Sequence, residues 1–294
     1  MTHINVAASA EAALSLCADD ADIRVLHRVS SLNDFPLAEP GNGPIRTMAV
    51  IDTETTGTDP DRDEIIDIAV IIIAVDADGQ IVRIDRAGQA LRDPGMPIPA
   101  AITKLTGITD ADVRGKIINL DALEKLIASA DVRIAHNAPF DVAFVERLLP
   151  GLAGGAWACS ARDFDWLEHG FDGAKLGHLL MQIGRFNTGH RAMADVISLL
   201  HLLAHRLADG STVIGEILAK AERPTVRIEA TGAGFDKRSL LKGRGYRWDP
   251  AAKAWWIEIP ADDLECEALW LQRDVTPWGP TPRTRRLTWH ERHR

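Results

Sequence analysis

Cysteine is scarce in this chain, with three among 294 residues. Cys17, Cys159 and Cys266 are odd in number, far apart and in no CxxC or Cys/His spacing. That excludes a disulfide framework and a zinc framework and points to a reducing, cytoplasmic setting. Long apolar runs are missing too. The longest, Ile68 to Val75, is far too short to cross a bilayer as a helix, so no membrane partner is expected. The first residues lack a basic stretch followed by an apolar one, so no secretory signal is expected. No long internal repeat or low-complexity tract is present.

What remains is an ordinary globular composition, 46% hydrophobic, in a chain long enough for one large domain or two smaller ones. The net charge of −9 is awkward for a nucleic-acid protein, but it is unevenly spread. Positions 223–294 hold 14 Lys+Arg against 10 Asp+Glu, a net +4, which leaves −13 on the other 222 residues. A basic appendage on an acidic body fits that asymmetry, and bound cations would offset part of the body's charge.

The chain divides accordingly. Residues 1–45 read as an N-terminal extension, with a short helix from Glu11 to Ala18, a short strand from Asp22 to Val29 and a Pro/Gly loop. Positions 46–210 read as the main domain. Three strands, from Met48, from Glu64 to Val75 and from Ile81 to Arg86, make an antiparallel meander around the turn Asp76-Ala77-Asp78-Gly79. Helices and short strands then alternate: Ala100 to Leu105, Asp121 to Ala130, Val132 to Ala135, Pro139 to Leu149, Trp157 to Ser160, Lys175 to Ile183 and Arg191 to Ala208. A meander followed by alternation predicts an α/β fold, a mixed sheet flanked by helices. Positions 223–276 read as a small α+β accessory domain, with Asp236 as a helix cap, and 277–294 as a mobile Arg/Pro-rich tail.

The stretch Met48-Ala49-Val50-Ile51-Asp52-Thr53-Glu54-Thr55-Thr56-Gly57 carries the first chemical signal. Side chains alternate across a strand, so Asp52 and Glu54 extend the face of Met48 and Val50, about 6–7 Å apart. Like charges placed on an apolar face repel, and a divalent cation is the simplest compensation. Oxygen ligands of this kind suit Mg²⁺ or Mn²⁺. Asp141 repeats the anomaly on the helix stripe of Phe144, Val145 and Leu148, and Asp195 does so on the stripe of Val196, Leu199 and Leu203. Three elements that each point acids inward are most simply resolved if they converge on metal ions. His190, just before the last of these helices, is placed to take a proton from an attacking water. Two cations about 3.5–4 Å apart would stabilise both oxygens of an in-line phosphoryl displacement.

Asp52-Thr53-Glu54-Thr55-Thr56-Gly57, His136-Asn137-Ala138-Pro139-Phe140-Asp141 and His190-Arg191-Ala192-Met193-Ala194-Asp195 resemble the three exonuclease motifs of the DEDD superfamily, His-type branch. Proofreading epsilon subunits of bacterial DNA polymerase III are similar. The resemblance covers roughly Arg46 to Ala208. It implies a ribonuclease H-like fold and two-metal 3′→5′ hydrolysis that releases nucleoside monophosphates. Asp52, Glu54 and Asp195 would ligate one metal, Asp52 would bridge to the second, Asp141 would hold that second site, and His190 would be the general base. Substrate contacts would come from Thr55, Thr56 and Gly57, from Ile102, Leu105 and Thr106, and from Asn137 and Phe140. Leu105 stands where many relatives carry a histidine. Asp67 matches no motif and reads as structural.

The implied partner is nucleic acid with a free 3′ end, single-stranded DNA before others, alongside a DNA polymerase. An exoribonuclease of the oligoribonuclease or tRNA-trimming type and a non-catalytic nucleic-acid or polymerase-binding module are the alternatives. Six of the eight tryptophans lie in the last fifty residues, and Trp248, Trp255 and Trp256 read as the core of the small domain. Among its cations, Lys242, Arg244 and Arg247 are candidate phosphate contacts.

Overall fold

The computed structural model describes residues 23–29, 31–33 and 35–294. The helix expected from Glu11 to Ala18 lies outside the described residues. Of the strand expected from Asp22 to Val29, the described residues form β1 (His27–Arg28).

The main sheet is built around β2 (Arg46–Thr55). On one side β3 (Ile65–Val75) and β4 (Ile81–Leu91) complete the antiparallel meander. On the other, β5 (Val132–Ala135) and β6 (Trp157–Cys159) add in parallel. The order β4-β3-β2-β5-β6 is the expected ribonuclease H-like mixed sheet. β4 runs five residues beyond its expected end at Arg86, because Arg86 to Leu91 stay paired in continuous register with Ile72 to Asp67 of β3. A short β7 (Arg185–Phe186) pairs in parallel with β1.

Helices cover both faces, which explains why β3 reads Ile-Ile-Asp-Ile-Ala-Val-Ile-Ile-Ile-Ala-Val and is buried along its whole length. They are α1 (Ala100–Thr106), α2 (Asp110–Val113), α3 (Leu120–Ala128), α4 (Ala138–Leu148), α5 (Leu176–Gln182), α6 (Ala192–Leu203) and α7 (Val213–Glu222). Met48 and Val50 pack under α6 and α7, with Ile71, Val196, Leu199 and Ile217. Ala49 and Ile51 face the opposite way, toward Ile127, Val142, Phe144 and Val145 of α3 and α4. The strand's two-residue period thus sends Asp52 and Glu54 to the α6 side and Thr53 to the α4 side. The last helix expected, Arg191 to Ala208, stops early as α6 at Leu203, and α7, which was not expected, starts beyond it with the Thr212 hydroxyl accepting from the Gly215 amide.

The smaller module contains β8 (Thr225–Glu229), α8 (Arg238–Gly243), β9 (Arg247–Asp249), β10 (Ala254–Pro260), α9 (Leu264–Trp270) and β11 (Arg283–Leu287). Its antiparallel sheet has the order β11-β8-β10-β9. Ile228, Leu241, Tyr246, Trp255 and Leu271 form its core. Three expectations change here. Asp236 is not a cap: it lies in a 3₁₀ turn, and α8 has Lys237 at its N-cap position with no side-chain cap. Trp255 is core, but Trp248 is half-exposed and Trp256 projects from the opposite sheet face. The stretch 277–294 is no free tail, because β11 pairs along β8 and the last residues dock on the main domain. The Trp157 amide donates to the Trp289 carbonyl at 3.0 Å. Buried Arg292 lies 3.0 Å from Glu258 and 3.9 Å from Asp163, and donates to the carbonyls of Ala221 and Arg223. Arg292 therefore joins the two modules.

Candidate metal centre

The pairing of β2 with β3 slips between Glu54 and Thr55, where the strand leaves the sheet and turns at Thr56-Gly57. Asp52 and Glu54 stand at this end on the α6 face. Helix α6 brings Asp195 to them in its first turn. Ligand oxygens of Asp52, Glu54 and Asp195 all lie within 4.8 Å of one another. Asp141 enters from the first turn of α4, buried, with its Oδ1 accepting a hydrogen bond from Thr53 Oγ1 at 2.8 Å. It thus approaches Asp52 from the α4 side, outside the cluster of three.

Electrostatics show how closely these acids crowd. The Asp52 carboxyl is raised well above the usual range, first by burial and then by the charges of Asp141, Asp195 and Glu54. Glu54 is pushed up to about 8, by burial first and then by Asp195, Asp67 and Asp141, with Arg191 opposing. Asp141 rises to about 7 through burial, against the Thr53 hydrogen bond. Burial also raises Asp195, while backbone N–H groups of His190 and Arg191 hold it back. Four carboxylates that each resist ionisation, in an oxygen-only donor set, are what a hard divalent cation relieves. The chemistry of the donors fits Mg²⁺ or Mn²⁺.

His190 is exposed at the mouth of this cluster, in the left-handed region at φ 56°. Its neighbour Arg191 reaches back to buried Asp67, Nε to Oδ2 at 3.6 Å. Asp67 is paired directly across from Glu54, and both its oxygens accept from Gln89 Nε2, at 3.0 and 2.8 Å. This Gln89–Asp67–Arg191 chain ties the His190 loop to the sheet. Sequence reading missed it, as it missed Thr53. The only signal was Thr53 itself, a polar residue on the strand's other face.

The expected substrate contacts are arranged around this end. Thr55 Oγ1 donates to the Gly57 carbonyl, and Thr56 Oγ1 donates to Asp63 at 3.0 Å and accepts from the Glu64 amide. A Cβ at position 57 would meet the Asp63 carboxylate and force it off the Thr56 hydroxyl. Asn137 takes φ 70° before α4, and its Oδ1 accepts from Arg162. Half-buried Phe140 packs on Phe144 with ring centroids 4.9 Å apart. Ile102 packs with Ile66, next to Asp67, which places α1 at the same end of the sheet. Leu105 is half-exposed there, and buried Thr106 bonds the Ile102 carbonyl. His136 is held between Ser160 Oγ and the Ala174 carbonyl, a structural tie.

The accessory cations do not share one surface. Lys242 is exposed on α8, whereas Arg244 is bound to Glu267 at 2.8–3.0 Å and lies over Trp270. Arg247 projects from the sheet beside Trp256.

A ribonuclease H-like sheet with acids gathered at the end of its central strand defines the class of site. Residues 49–203 match the exonuclease family, and the chain belongs to it. A DNA polymerase III subunit epsilon-like protein of Rhodobacter capsulatus is 32% identical over 204 residues, 60% of this chain and 26% of that protein. A PolC-type DNA polymerase III of Thermotoga petrophila is 27% identical over 176 residues, 59% of this chain and 12% of that one. The chain thus spans about a quarter or less of these relatives. Among solved structures, exonuclease X with 5′-overhanging duplex DNA aligns at TM-score 0.41 and 24% identity, over 57% of this chain and 99% of that one. E. coli exonuclease I with single-stranded DNA aligns at 0.49 and 16%, over 84% and 64%.

Proposed function

We propose that this protein is a metal-dependent 3′→5′ exonuclease acting on DNA, with a single-stranded 3′ end as substrate. The observation that carries the reading is the meeting of Asp52, Glu54 and Asp195 in one cluster, beside buried Asp141. Asp52, Glu54 and Asp195 would hold one Mg²⁺ or Mn²⁺, and Asp52 with Asp141 a second. Bound there, such ions supply charge stabilisation for the attacking and leaving oxygens. The chain's own residues do the rest. An imidazole nitrogen of His190 takes the proton as a water oxygen attacks the last phosphodiester phosphorus. The bond from phosphorus to the 3′ oxygen breaks, which releases a nucleoside 5′-monophosphate and leaves a new 3′-hydroxyl. Thr53 orients Asp141, and the Asp67–Arg191 pair holds His190 near the acids. The backbone at Thr55, Thr56 and Gly57, the α1 surface of Ile102, Leu105 and Thr106, and Asn137 with Phe140 would seat the terminal nucleotide.

The names of the relatives, DNA polymerase III subunit epsilon-like and PolC-type, support work beside a DNA polymerase; a proofreading or repair role in the cytoplasm is the extension proposed. No helix among the described residues is long and apolar enough to cross a membrane. The test is hydrolysis of end-labelled single strands of DNA and RNA, with free and blocked 3′ ends. Mononucleotide release from free 3′ ends of DNA, lost in Asp52→Ala, is expected. Faster release from RNA would transfer the activity to the exoribonuclease class, and binding without cleavage would make the chain a non-catalytic module.

A further inference from the structure

The open face of the C-terminal sheet carries an arrangement that its own fold does not need. Cross-strand partners place Arg283, Glu229, Trp256 and Arg247 in one row, and Arg285, Arg227 and Glu258 in the next. All share the face opposite the Ile228 core, since strand side chains alternate. Arg285 sits directly opposite Arg227, a like-charge pairing that destabilises a bare sheet. Arg227 is partly balanced by Glu229 and Asp249, at 3.1 and 2.7 Å. Among the described residues, the guanidinium groups of Arg247, Arg283 and Arg285 form no direct ion pair, Arg285 having Glu291 only as a more distant countercharge. A pocket of about 350 Å³ opens between Arg227, Glu229, Arg283, Thr284 and Arg285. Beside it Arg227 lies over the Trp256 ring, 4.3 Å from the centroid, with Arg247 at 6.0 Å.

Charges that merely protect an edge strand would project from β11 alone. Here they converge with the neighbouring strand on a concavity, and an aromatic ring adjoins it. Four strands spaced about 4.8 Å apart give a face about 14 Å wide, enough for a few nucleotides of an extended strand. We infer that this face binds single-stranded nucleic acid, with Arg227, Arg283 and Arg285 taking backbone phosphates and the Arg227–Trp256 layer stacking a base. Charge complementarity selects the occupant: the +4 module, on a −13 body, offers phosphates a favourable surface. Arg292 locks the module to the main domain, so the face is a fixed platform for the strand whose end is being trimmed. The inference deepens the exonuclease reading and rests on it for the identity of the strand.

The test is fluorescence anisotropy of a labelled twenty-nucleotide oligo-dT with the full-length protein in EDTA. No hydrolysis enters this readout, so failure of the catalytic reading leaves it interpretable. Arg283→Ala/Arg285→Ala should weaken binding about tenfold. It should also flatten the dependence of log Kd on log salt by about 1.4, at about 0.7 per lost phosphate contact. Trp256→Phe should retain most of the affinity, and Trp256→Ala, checked for native circular dichroism, should not. Unchanged affinity and salt slope in the double-arginine variant overturn the inference.

Discussion

Asp67 and Glu54 stand side by side on paired strands, yet their surroundings give them different work. Gln89 and Arg191 occupy the Asp67 oxygens, whereas Glu54 faces Asp195 and Asp52, with the Arg191 charge opposing them. Arg191 is thus a positioning residue. Arg191→Ala should lower kcat about tenfold to a hundredfold with KM nearly unchanged, because a loosened His190 is misplaced. Arg191→Lys should recover part of the loss, and a KM effect without a kcat effect would contradict the role. The acids themselves set a pH dependence. Glu54 at about 8 and Asp141 at about 7 keep protons in the folded protein that the unfolded chain has already released. The stability they contribute is full below their ordinary range and is lost as pH rises through 7 to 8. Buried His201, lowered to about 4, acts the other way but only below its ordinary value of 6.5. Metal-free protein should therefore melt a few degrees lower at pH 8.5 than at pH 6.5, at about 2–4 °C per kcal/mol. Saturating Mn²⁺ should abolish the drop. A metal-free melting temperature that rises across this window would contradict it.

Elements with a clear hydrophobic period were readable in advance. β5 matches its expected bounds, and α4 and β6 do so within a residue, because apolar spacing and Pro139 mark them. The acids at positions 52, 54, 141 and 195 were readable for the same reason, as breaks in apolar faces. The partners of those acids were not, since Gln89 and Thr53 are ordinary strand residues until the register is known. β11 was hidden differently. Arg-Thr-Arg-Arg-Leu has no alternating apolar pattern, and only pairing with β8 makes it a strand. Its continuation supplies Trp289 to the edge of β6 and Arg292 to Asp163, so the end of the chain supports both modules. Arg292→Ala leaves Asp163 buried with one fewer counter-charge and should cost about 3–5 kcal/mol. Urea unfolding monitored by tryptophan fluorescence checks this. An unchanged midpoint would show that the joint is not structural.

The whole molecule is an acidic body with a basic module fixed to it by Arg292. On the proposed reading, the body's acids hold cations and the module's arginines take phosphates. The proposed activity depends on the body's acids being a metal site, and calorimetric titration of the protein with Mn²⁺ at pH 7, in two buffers of different ionisation enthalpy, tests that most directly. Binding should release protons, because Glu54 and Asp141 are held partly protonated there, and it should be lost or greatly weakened in Asp52→Asn. Equal Mn²⁺ binding by wild type and Asp52→Asn, with no proton release in either, would contradict the account.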